Sequence, residues 1–315
     1  MKKGISVAGS ILVDKLNMIS AYPKSGELTQ IREIKLSTGG CVSNVAIDLK
    51  KLSPELNVYG IGRVGTDEEG IFAKNILKKE NIDVSDIIEV KGEKTSFTDV
   101  MSIKGGERTF FTYAGASANF CFEDIENIEL AEMLHLGYFL LLDKIDNGDG
   151  LKILKEAKRR GVKTSIDLVS ENSNRYLKVL PCLEYTDNII INEIEAGKLA
   201  GIDNSVDNLD KIARKLKDLG VKERVIIHMP KRSICFDGKY FTEKESLKLP
   251  KGFIKGTTGA GDAFCAGALL GIYFGYSDEN ILSIATVSAA ASLRTEDASS
   301  GLSALSKISK ELSML

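Results

Sequence analysis

Tryptophan is absent from the chain, and histidine occurs only twice, at His135 and His228. Two imidazoles leave little to build a histidine zinc site or a hydrolase triad from, and no H-E-x-x-H is present. His135 lies in the apolar run 133–142, where a core histidine is the default expectation. No apolar run approaches the roughly 20 residues that a bilayer span needs. Neither sign of charge dominates: the formal net charge is −2, too near zero for a nucleic-acid or membrane-surface binder. The five cysteines (Cys41, Cys121, Cys182, Cys235, Cys265) are scattered, odd in number and form no C-x-x-C. That usage predicts reduced core thiols in a cytoplasmic protein. Two lysines precede the first apolar stretch, but Gly9, Ser10 and Asp14 interrupt it, so a first β-strand is expected there rather than a signal peptide.

What is present is an ordinary globular mixture, 43% hydrophobic and 27% charged. No internal repeat, low-complexity tract or linker divides the 315 residues, so one domain, 1–315, is expected. The run Ile5 to Val13 reads as a strand ending at Asp14. Gly39-Gly40 precedes a helix with Val42, Val45, Ala46, Leu49 and Leu52 on one face. A strand at 57–61 follows, then a helix opened by a Thr66/Glu69 capping box. Residues 94–113 interrupt this alternation with two β-rich runs joined at Lys104-Gly105-Gly106-Glu107, a hairpin signal. With the β-like pieces of 15–38 they predict a small β lid over a site. Strands at 133–141, 163–168, 188–192 and 224–229 then alternate with helices near 149–160 and 206–219. A hairpin joined at Asp237-Gly238, a β-like run at 246–249 and three helical stretches complete the chain. The alternation predicts an α/β fold with a mainly parallel sheet covered on both faces.

Four constellations carry possible chemistry. Gly256-Thr257-Thr258-Gly259-Ala260-Gly261-Asp262 runs into an apolar helix. A glycine-rich helix start offers unpaired N–H groups and the positive dipole end, suited to a phosphate. An Asp in a first turn simply suits the dipole, which is the favoured reading of this stretch by itself, and beside such a phosphate Asp262 could also act as a base on a hydroxyl. Asn192-Glu193-Ile194-Glu195 closes a strand: by itself it reads as a helix cap, which is compatible with a site for hydrated Mg²⁺. Asp14 with Gly39, Gly40 and Asn44 can hold a polyol, the carboxylate accepting from hydroxyls and the glycines allowing close approach. Gly60-Ile61-Gly62-Arg63-Val64-Gly65 fits the dinucleotide fingerprint, but it does not lie in the first βα turn, so an NAD-binding oxidoreductase is the lesser reading. No G-x-x-x-x-G-K-[ST] occurs, which excludes a P-loop.

Taken in order, these pieces resemble the PfkB family of carbohydrate kinases, the ribokinase-like group. The likeness is carried by Gly39-Gly40 with Asn44, by Gly62-Arg63-Val64-Gly65-Thr66-Asp67 and Gly70, by Asn192-x-x-Glu195, and by Thr257 to Phe264. The resemblance implies a three-layer α/β/α fold whose β lid is formed from about 12–38 and 94–114. It implies ATP as phosphoryl donor and a small sugar as acceptor, a nucleoside being the alternative. It makes Asp262 the base and the amides of Gly259, Ala260 and Gly261 the anion hole. Asp14, Gly39, Gly40, Asn44 and Arg108 fall to the acceptor, and Asn192, Glu195, Thr258 and Ser288 to the nucleotide, with Glu195 organising Mg²⁺ through water. It reassigns the dinucleotide-like glycines to a structural turn. Asp99 and Tyr113 are further lid residues considered for an inward orientation, and the lid edges are expected to pair two copies into a homodimer. Two departures stand out. Gly256 replaces an aspartate that often helps form a monovalent-cation site, which argues against potassium activation. Pro230-Lys231-Arg232-Ser233 replaces a G-x-x-G at a nucleotide contact. A sugar sensor without catalysis is the remaining alternative.

Overall fold

The first apolar run does not stay in one sheet. It forms β1 (Ile5–Ala8), breaks at Gly9 with φ 141°, and resumes as β2 (Leu12–Ile19) in a second sheet. Asp14, expected at a strand end, therefore sits inside β2. The computed structural model describes residues 3–314 except Gly105 and Glu107, so two residues of the expected hairpin turn lie outside the described residues.

The chain continues through β3 (Ile31–Gly39), α1 (Cys41–Leu52), β4 (Val58–Gly65), α2 (Glu68–Lys79), β5 (Ile87–Val90), β6 (Ser96–Ser102) and β7 (Arg108–Tyr113). Next come β8 (Met133–Phe139), α3 (Gly150–Arg159), β9 (Lys163–Leu168), α4 (Leu180–Leu183), β10 (Asn188–Asn192), α5 (Glu193–Ala200) and α6 (Leu209–Asp218). The last third holds β11 (Arg224–His228), β12 (Arg232–Phe236), β13 (Phe241–Glu245), α7 (Ala260–Tyr273), α8 (Asp278–Ser292) and α9 (Leu305–Leu312).

Nine strands form the central sheet in the order β13-β12-β11-β10-β9-β8-β1-β4-β5. Only the β11-β12-β13 end is antiparallel. Side chains of its buried strands alternate between two cores, as a period of two requires. Ile190 joins α1, α2, α7, α8 and α9 on one face, while Ile189 and Ile191 join α3 to α6 on the other. The sheet is thus the middle of three layers, and helices seal both faces. The lid is a separate sheet, β3-β2-β6-β7, with β2 and β6 parallel.

Three local expectations are corrected. Gly60, Gly62 and Gly65 lie inside β4, not in a turn that opens a helix. A Cβ at Gly62 would stand 2.8 Å from the Gly9 carbonyl, so this glycine serves close strand packing. The dinucleotide reading loses its phosphate-binding turn and is withdrawn, and so is the structural-turn assignment. The second helix is capped by Asp67, whose carboxylate accepts the Gly70 N–H, while Glu69 is drawn away to Lys15 at 2.6 Å. The run 246–249 joins no sheet, and β5 is a strand that the pattern did not reveal.

Candidate active site

Ligands in open α/β sheets lie beyond the carboxyl ends of the strands. Here neighbouring strands end in polar groups: Tyr138 on β8, Asp167 on β9, Asn192 on β10 and His228 on β11. The N-terminus of α7 opens at the same place. Gly259 caps it at φ 77°, and a Cβ there would fall 2.5 Å from the Ala298 backbone, so this turn needs glycine twice over. The Ala260 N–H already donates to the Thr257 carbonyl at 3.3 Å. The N–H groups of Gly259, Gly261 and Asp262 have no partner among the described residues, as the first turn of a helix requires.

Asp262 is only 9% exposed. Its Oδ2 accepts from Asn44 Nδ2 at 2.8 Å. The Tyr138 hydroxyl donates between its two oxygens, at 3.0 and 2.9 Å. Burial first, and the Asp167 charge second, push its carboxyl up to about 7, while Asn44 and Tyr138 pull the other way. A base poised near neutrality is what proton abstraction from an alcohol requires.

Asn44 brings α1 to this carboxylate, and α1 in turn connects to the lid. Gly40 caps α1 at φ 85°. A Cβ on Gly39 would meet Asp14 Oδ2 at 2.5 Å, so only glycine lets the carboxylate lie against the backbone. Asp14 has no side-chain hydrogen bond among the described residues, and burial raises it to about 6. An unsatisfied, partly buried carboxylate beside two glycines is a receptor for hydroxyl groups. The lid register separates the other lid residues. Thr98 pairs with Asp14 and Thr112 with Thr98, so these share its face. Asp99 and Tyr113 pair with Lys15 and Phe97 on the opposite face, away from Asp14, which corrects the inward orientation considered for them. Arg108 shares the Asp14 face, but at the register of Ser102 and Met18, four residues along β2. That is about 13 Å from Asp14 along the strand.

At β10, Asn192 caps α5: its Oδ1 accepts the N–H groups of Ile194 and Glu195 at 3.0 and 2.9 Å. Glu195 returns the contact to the Asn192 N–H at 3.0 Å and also accepts from Ser170 at 2.7 Å and from Asn192 Nδ2 at 2.8 Å. Glu195 is buried, which lifts its carboxyl to about 7. The donor set is all oxygen, and the Glu195 carboxylate keeps lone pairs beyond these bonds, so it fits a magnesium ion held through water. Asn192 spends its own groups holding Glu195.

Thr258 is exposed on the glycine loop. Ser288 is not brought to the site: it is fully buried between α7 and α8 and donates to the Ile284 carbonyl at 2.8 Å. Arg232 is paired across its hairpin with Glu243 at 2.6 Å. A Cβ at Gly256 would stand 3.0 Å from the Thr295 carbonyl, so a larger residue there needs the 295–296 backbone to move. His135 is a core histidine, bonded to Ser165 at 2.8 Å and Asp167 at 3.3 Å. All five cysteines are free and four are buried.

Residue reasoning missed Tyr138, Asp167 and Asp48. Asp167 carried a legible signal, a carboxylate near the carboxyl end of a strand in an α/β alternation. Tyr138 carried none. Asp48 lies one turn beyond Asn44 on α1, fully buried, and neither oxygen has a hydrogen-bond partner.

The sequence model of the pfkB family carbohydrate kinases matches residues 4–305. The chain belongs to that family. As a PfkB carbohydrate kinase it is an enzyme whose general reaction is ATP-dependent phosphoryl transfer. It is 29% identical to probable fructokinase-6, chloroplastic, of Arabidopsis thaliana over 271 residues, which are 83% of this chain and 68% of the relative. An Arabidopsis thaliana ribokinase complexed with ribose and ATP shares its fold with a TM-score of 0.83 at 23% identity, covering 99% of both chains. A Methanocaldococcus jannaschii nucleoside kinase gives a TM-score of 0.80 at 22% identity over 100% and 99%. Among the described residues of this PfkB kinase, no helix is long and apolar enough to cross a membrane.

Proposed function

We propose that the enzyme moves the γ-phosphoryl group of ATP to a hydroxyl of a small sugar, with Asp262 taking the hydroxyl proton. The observation that carries this reading is the convergence on one helix start: three unpaired N–H groups beside a buried carboxylate raised to about 7. Phosphoryl transfer asks chiefly for positioning and neutralisation of charge. The amides of Gly259, Gly261 and Asp262 face developing negative charge, with Ala260 shaping the turn. Asp14, against Gly39 and Gly40, holds the acceptor's neighbouring hydroxyls. Asn44 spans the two ends, donating to Asp262 from the helix that Gly40 caps. Glu195, fixed by Asn192 and Ser170, would hold Mg²⁺ through water, and the ion would supply neutralisation of the phosphate charge. The lid covers the Asp14 end and keeps water from competing as acceptor.

The lid also supports a dimer. Ile34, Leu36, Phe111 and Tyr113 are all exposed, and the register puts all four on the lid face away from Asp14. These apolar side chains stand on the two outer strands, β3 and β7, with Lys15, Asn17 and Asp99 between them, and we infer that they meet a second lid.

An ADP-release screen with MgATP over pentoses, hexoses, keto-sugar acids and nucleosides, with and without K⁺, tests the reading. ADP released in response to a sugar supports it. ADP released only with a nucleoside moves the acceptor class. Sugar binding without ADP release identifies a sensor and overturns it.

A further inference from the structure

Asp262 is flanked by a residue that neither the sequence motifs nor the reaction assigns. Tyr138 stands on β8, and its hydroxyl reaches both oxygens of Asp262 at 3.0 and 2.9 Å. Its backbone is left-handed, with φ 60°, a costly conformation for an aromatic residue. The conformation is held by its own N–H, which donates to Asp167 Oδ1, and by its ring, which packs against the α1/α7 side of the core. The strained backbone thus turns the phenol across the sheet end and onto the carboxylate.

We propose that Tyr138 is a positioning residue for the base: its O–H fixes the Asp262 carboxylate in its orientation and limits its affinity for a proton. The inference rests on the reading of Asp262 as the base. One shared O–H hydrogen bond across both oxygens stops the carboxylate from rotating, and a donor to the ionised form favours that form. The other groups around Asp262 do not do this. Asp167 on β9, Asp48 and Cys41 on α1 and Cys265 on α7 itself can only repel its charge when ionised. His135 on β8 favours the ionised carboxylate through its charge alone, its ring nitrogens being bonded to Ser165 and Asp167. His228 on β11 packs its ring against Phe264 and is held neutral by burial. Among the described residues Asn44 is the one other side-chain donor, and it reaches a single oxygen. Against burial and Asp167, Tyr138 therefore helps keep the base ionised near neutral pH.

The test is Tyr138→Phe in the full chain, read two ways. The first is the titration of the Asp262 carboxyl by carbon NMR without substrates, assigned against Asp262→Asn. The midpoint is expected to rise by roughly one pH unit on loss of the donor. The second is the kcat/KM profile, whose acid limb is expected to move up by the same amount. Near neutral pH kcat falls roughly tenfold, because less of the carboxylate is ionised and its orientation is lost, while KM for ATP is unchanged. Tyr138→Gly relieves the left-handed backbone but removes the ring as well as the hydroxyl, so water reaches the carboxylate and its midpoint should rise less than in Tyr138→Phe. An Asp262 midpoint that stays in place in Tyr138→Phe overturns the proposal, as does a shift in Tyr138→Gly alone, which would trace to ring packing. The NMR titration needs no turnover. A wild type that releases no ADP removes the kinase reading without touching the measured coupling.

Discussion

Two carboxylates divide the work at the site, and their surroundings give them different pH windows. Asp262 is raised to about 7, chiefly by burial and then by Asp167. The active form of a base is ionised, so kcat/KM should climb with pH through about 7 and level off above it; a profile flat from pH 5 to 8 would exclude Asp262 as the group that titrates. Asp14 is raised to about 6 by burial alone. Its ionised form is the better acceptor for hydroxyls, so affinity for the sugar should fall as pH drops below about 6. Asp14→Asn should raise KM for the sugar roughly tenfold or more and leave KM for ATP in place, since one charge-assisted hydrogen bond is lost. Equal changes in both KM values would mean that Asp14 shapes the fold rather than the acceptor.

Helix α1 connects these groups, and Asp48 on it is the element's weak point. It is fully buried, unpartnered and pushed well above the ordinary carboxylate range by burial, with Asp262 adding to the rise. The folded carboxyl holds its proton more tightly than the unfolded one. Stability is therefore lost as pH rises above the unfolded value of ~4, at about 1.4 kcal/mol per pH unit while the difference persists. Asp48→Asn should raise Tm at pH 7 and have little effect at pH 4; a Tm difference independent of pH would contradict this. The element patterns also explain what the sequence revealed. Helix α1 was legible because Val42, Val45, Ala46, Leu49 and Leu52 repeat at helical spacing and are all buried. β10 was legible because a continuous apolar run, Ile189 to Ile191, ends in a polar residue, Asn192. The split of Ile5–Val13 was hidden, because a conformation of φ 141° at Gly9 leaves the apolar pattern unbroken. The motif glycines at 60, 62 and 65 misled because close strand packing and a phosphate turn ask for the same residue. Tyr138 was invisible because its role comes from a left-handed backbone that no side-chain pattern encodes.

As a whole, the molecule is a three-layer body with a second, four-stranded sheet at the Asp14 end, tied to α2 by Lys15 and Glu69. That sheet exposes Ile34, Leu36, Phe111 and Tyr113 on one face, so sedimentation should give a dimer mass, and Phe111→Lys should return the monomer. A mass independent of concentration and equal to one chain would exclude lid pairing. The body, the lid and α1 have one purpose in this account, to bring a sugar hydroxyl to Asp262 beside the open amides of α7. The most direct measurement is ADP release by Asp262→Asn against the wild type at saturating sugar and MgATP. The account predicts a fall in kcat of ~10²–10⁴ with Tm little changed, the loss expected for a missing general base. Turnover within a few-fold of the wild type would contradict it.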